Sequence, residues 1–156
     1  MKTKKISYKY REWLNAEEMH EDSKKWFSEL SFIKDEHKFL KNLIQSFAIK
    51  PIDKKEFGKI SDFMKAIEEN RRLMVPIFKQ VQKHMSQLEI MIDKVDQIDM
   101  EQAYLKTHKK LSKKMNNYLL DYRSVKEKGF VVLTSILKKS KQKIALGNPE
   151  YKIKVT

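Results

Sequence analysis

Apolar residues recur in alternating steps of three and four along three separate stretches of this chain, and that repeat limits the fold more than any other feature. The first seam runs Ala16, Met19, Ser23, Trp26, Leu30, Ile33, His37, Leu40, Ile44, Phe47. The second is Phe57, Ile60, Met64, Ile67, Arg71, Met74, Phe78, Val81, Met85, Leu88, Ile92, Val95. The third is Tyr104, His108, Leu111, Met115, Tyr118, Tyr122, Val125, Gly129, Val132, Ile136. Such a stripe lies on one face of an α-helix and is covered best by another helix packed along it. Phe63, Ile77 and Met91 flank the second seam, and Leu105, Leu119 and Leu133 flank the third. A widened stripe suits a helix that touches two neighbours.

Each seam starts behind a capping box. Asn15-Ala-Glu-Glu18, Asp53-Lys-Lys-Glu56 and Asp99-Met-Glu-Gln102 place a side-chain acceptor before the first turn and a Glu or Gln three residues on. Pro51 stops the first helix, and Gly147-Asn148-Pro149 stops the third. These signals predict a single helical domain over 1–156, with a basic extended arm at 1–14 and helices at 15–50, 53–97 and 99–146. A second arm follows at 147–156. Pro76 falls inside the second helix without breaking its phase, so one kinked helix is expected rather than two. The connections are short, so successive helices should be antiparallel. The expected fold is an all-α, up-down-up three-helix bundle with long coiled-coil-like helices. Ile6, Tyr8 and Tyr10, and likewise Tyr151, Ile153 and Val155, alternate with polar residues, so both extended arms read as short β-strands.

Composition narrows the chemistry. There is no cysteine, which removes disulfides, thiolate metal sites and cysteine nucleophiles. The amino-terminal stretch is basic but has no apolar run of the signal-peptide kind, and the longest charge-free stretch is Gly129–Leu137. A membrane span needs about 20 apolar residues. The expectation is a cytoplasmic protein with no membrane partner. The net charge of +13 is uneven: residues 100–146 carry twelve cations and three anions. Acidic proteins or polyanions are the partners such a surface favours.

No nucleophile–base constellation and no glycine-rich phosphate loop is present. The sequence therefore reads as non-enzymatic and without a cofactor. Glu17-x-x-His20 is half of a di-iron signature, but Lys34, Val81 and Leu105 stand three residues before the other histidines, so the second half is missing. Antiparallel register brings His20, His84 and His108 to one level, where three imidazoles could hold a divalent metal. His37 and Arg71 interrupt the apolar seams and read as a buried polar layer that fixes register. Lys106, Lys109, Lys110, Lys113 and Lys114, together with Lys5, Lys9 and Arg11, form a candidate polyanion-binding surface for nucleic acid.

The segment from Phe130 to Leu137 is apolar on every side of its helix. A helix of that kind must be covered all round. Phe130, Val131, Leu133 and Leu137, with Phe39 and Phe63, are the expected partner interface. A second copy of the chain is the simplest cover. The leading functional expectation is thus a self-associating interaction module. Non-specific nucleic-acid binding and a histidine-based metal site are the alternatives.

Overall fold

The computed structural model describes residues 14–50, 52–93 and 98–145; of these, the side chains of 98–99 and 143–145 are excepted. It contains three helices: α1 (Ala16–Ala48), α2 (Lys54–Ile92) and α3 (Ile98–Ala145). They form an all-α three-helix bundle in which α1 packs on α2 and α2 on α3. No helix among the described residues is long and apolar enough to cross a membrane. Both terminal arms, and with them Lys5, Lys9 and Arg11, lie outside the described residues.

The helix starts follow the capping chemistry. Asn15 Oδ1 accepts from the Glu18 amide at 2.8 Å, and Glu18 Oε1 accepts from the Asn15 amide at 3.4 Å. At the second start Asp53 Oδ1 accepts from the Glu56 amide at 2.7 Å, but the Glu56 carboxylate turns to Lys139 Nζ at 3.0 Å. The third start differs from expectation. α3 already begins at Ile98, so Asp99 lies in the first turn rather than before it. α2 runs through Pro76 as one helix.

The helices divide into two compact units. The first takes α1 up to Asp35 and the stretch from Arg71 to Leu120; the second takes Glu36–Asn70 and the chain from Asp121 on. In the first unit Gln80 meets Lys114 and His84 meets His108, so α2 and α3 run antiparallel. Its core includes Ala16, Met19, Leu88 and Met91, with Leu14, Ile92, Tyr104 and Leu105 packed against them. In the second unit Glu56 meets Lys139 and Asn70 meets Asp121, again antiparallel. Leu40, Ile44, Phe47, Ile60, Phe63, Ile67, Leu133 and Ile136 are buried there.

The α1 seam is buried as read, except that Trp26 is half-buried. α2 departs from its reading in a regular way. Ile60, Ile67, Met74, Val81 and Leu88 are buried as expected, but the alternate positions are Phe63, Asn70, His84 and Met91, each one residue earlier than the seam predicted. Met64 and Met85 are only half-buried and Arg71 is exposed. Arg71 is therefore not part of a buried layer: the one-residue offset moves it out and brings Asn70 in, which costs little because Asn70 finds hydrogen-bond partners on both other helices. In the second unit α3 buries Gly129, and a methyl group there would be driven into the Phe63 ring. Phe63 and Leu133 are both buried there.

Candidate functional site

The first unit buries a polar chain drawn from all three helices. His84 on α2 and His108 on α3 are almost fully enclosed. Their Nε2 and Nδ1 atoms are 3.0 Å apart, and His108 Nε2 lies 3.1 Å from Asp22 Oδ2 on α1. Trp26 stacks on the His108 ring with centroids 4.6 Å apart, and Tyr104 stands edge-on to His84 at 6.2 Å. The proton order follows from the partners. A carboxylate only accepts, so His108 Nε2–H donates to Asp22. A neutral His108 then has a bare Nδ1, which accepts from His84 Nε2–H. His84 Nδ1 is left as a buried acceptor with no hydrogen-bond partner among the described residues.

Burial holds both rings neutral. Desolvation pushes the His84 imidazole down to about 4, helped by the neighbouring His108. His108 is also lowered by burial, with Asp22 pulling the other way through its hydrogen bond and charge.

His84 also forms part of the wall of a groove between α2 and α3, of about 420 Å³, flanked by Lys83, Lys110 and Lys114. Lys114 Nζ donates to Gln80 Oε1 at 3.1 Å. Lys106, Lys109, Lys110, Lys113 and Lys114 are all exposed, in keeping with a solvated basic face.

The expected three-histidine cluster does not form. His20 is half-buried, while the register places Asp22, two residues on, against His108. Among the described residues no group of three or more His, Asp or Glu side chains is arranged to hold a metal ion.

The second unit has its own polar layer. His37 Nε2–H donates to Asn70 Oδ1 at 2.9 Å, and Asn70 Nδ2 donates to Asp121 Oδ2 at 3.2 Å. Beside it, Tyr122 Oη donates to Glu36 Oε1 at 2.5 Å and Lys126 Nζ to the same oxygen at 2.9 Å. Burial works to raise the Glu36 carboxyl, but the hydrogen bonds from Tyr122 and Lys126 outweigh it and hold it below the usual carboxylate value. His37 was legible as a seam residue. Its partner Asn70 was hidden by the one-residue offset in α2.

The expected interface residues separate into two sets. Leu133 and Phe63 are buried within the second unit and are no part of an outer surface. Gly129, where a methyl group would meet the Phe63 ring, leaves the space that ring occupies. Phe130 is 42% exposed, Val131 70%, Leu137 41% and Phe39 63%. Phe130 and Val131 line an open groove along α3 of about 780 Å³, together with Thr134, Ser135 and Lys138. The Phe130 ring stays anchored by an edge contact to Phe63 at 6.3 Å.

No family, no curated protein and no solved structure matches this chain.

Proposed function

We propose that the chain is a non-enzymatic helical interaction module that associates with a second copy of itself through α3 of the second unit. The observation that carries this reading is the patch at Phe130, Val131 and Leu137. These side chains lie within two turns of one helix and keep much of their apolar surface in water, although Leu133 and Ile136 between them are buried. Covering such a patch removes apolar area from water at about 25 cal/mol per Å². A second copy brings the same residues to the same surface, which is how a two-fold interface is built. Ser135 and Thr134 beside the patch are small and allow close helix approach.

Replacing Val131 with Glu tests this directly, because the residue is exposed and its loss leaves the internal core intact. Sedimentation velocity should show the wild-type chain as a dimer and Val131→Glu as a monomer with unchanged helical content. A wild-type dimer unaffected by Val131→Glu, or by Phe130→Glu alongside it, would place the contact elsewhere and end this reading.

A further inference from the structure

The groove in the first unit combines two features that are independent of each other and of the apolar patch on the second. Its lining includes three lysines, Lys83, Lys110 and Lys114, along with Tyr104 and Thr107. Its wall also includes His84, whose Nδ1 is a buried lone pair without a partner among the described residues. The lysines attract a negative charge. The imidazole asks for something different, a hydrogen-bond donor. Asp22 and His108 enforce that demand, since the relay fixes the His84 proton on Nε2. A fully deprotonated anion offers charge and no donor. A neutral alcohol offers a donor and no charge.

Monoprotonated phosphate offers both. We infer that this groove binds a phosphate group carrying one hydroxyl, free or as a monoester, with its charge met by Lys83, Lys110 and Lys114 and its O–H donated to His84 Nδ1. Burial of the histidine pair supports this, because His84 stays a neutral acceptor well below pH 7. A phosphodiester has no O–H to give, so a nucleic-acid backbone is not the ligand this site selects.

Phosphate and sulfate separate the two features at about pH 8, where sulfate and most of the phosphate are doubly charged and only phosphate keeps a hydroxyl. Each anion would be titrated into the full-length ¹⁵N-labelled chain, following the backbone amides of α2 and α3 and the ring nitrogens of His84. Phosphate should move the His84 Nδ1 resonance and bind about tenfold or more tightly than sulfate, the cost of setting an oxyanion against an unpaired acceptor. His84→Phe should reduce that preference to near one, and Lys110→Gln with Lys114→Gln should weaken both anions. Methyl phosphate distinguishes the sources. Its second proton leaves near pH 6, so its affinity should fall between pH 5.5 and 7.5 while that of inorganic phosphate holds. Equal binding of phosphate and sulfate by the wild-type chain, or a His84 ring unmoved by tens of millimolar phosphate, overturns the inference. These wild-type arms decide the matter even if His84→Phe fails to fold. Dimer mass is a separate readout, so loss of either claim leaves the other standing.

Discussion

The two units each bury histidine among three helices, and each donates an Nε2–H into a chain that ends on an aspartate, through a different middle partner. In the second unit His37 on α1 donates to an amide, Asn70, which in turn donates to Asp121 on α3. In the first unit His84 donates to another histidine, His108, which donates to Asp22 on α1. Both chains cross all three helices, so both can fix the register of their unit. Only the first is built from two imidazole rings in contact, and there a buried ring forms part of the wall of a lysine-flanked groove. The same structural device serves alignment in one place and, by our inference, recognition in the other.

Acid is the strongest way to separate the two. The folded His84 titrates near 4, below its ordinary value of 6.5, so the unfolded chain takes up the proton first. Its stabilising contribution is whole above pH 6.5 and is lost as the pH falls from 6.5 toward 4, by about 2–3 kcal/mol. Hydrogen exchange should show the amides of α2 around Val81–Leu88 opening over that range before those of Ile60–Ile67. Simultaneous opening of both segments would mean that the histidine pair is not the weak point.

Asn70→Ala breaks the other chain. It removes the acceptor of His37 Nε2–H and the donor to Asp121, and should cost about 1–3 kcal/mol in urea unfolding. A loss below 0.5 kcal/mol would show that the layer is dispensable. Gly129→Ala forces a methyl toward the buried Phe63 ring and should cost about 1–3 kcal/mol by overpacking. Phe63→Leu in the same background should recover part of it. The smallest expected effect is at the first cap, where Asn15→Ala should lower stability by about 1 kcal/mol and fray the start of α1.

The helices themselves were legible because their signals are local. The Asn15 and Asp53 caps, the α1 seam and the passage of α2 through Pro76 all follow from residues close in sequence. The α2 seam was not, and the reason is physical. Its two adjacent rows are Met64, Arg71, Phe78, Met85, Ile92 and Phe63, Asn70, Ile77, His84, Met91. Either gives a plausible stripe. What decides between them is on other helices: the notch at Gly129 that admits Phe63, and the partners that satisfy Asn70 and His84. Choosing the wrong row placed Arg71 inside and left His84 off the seam. The expected meeting of His20 with His84 failed for a related reason: a register error of two residues is half a helical turn, enough to exchange His20 for Asp22.

The proposed role rests on self-association, and the mass of the full-length chain in solution tests it most directly. Size exclusion with light scattering at micromolar to high-micromolar concentration should give twice the 18.7 kDa of one chain at both low and high salt. Salt should not dissolve the dimer, because apolar burial holds it while the net charge of +13 opposes it. A mass of one chain throughout that range would contradict the account.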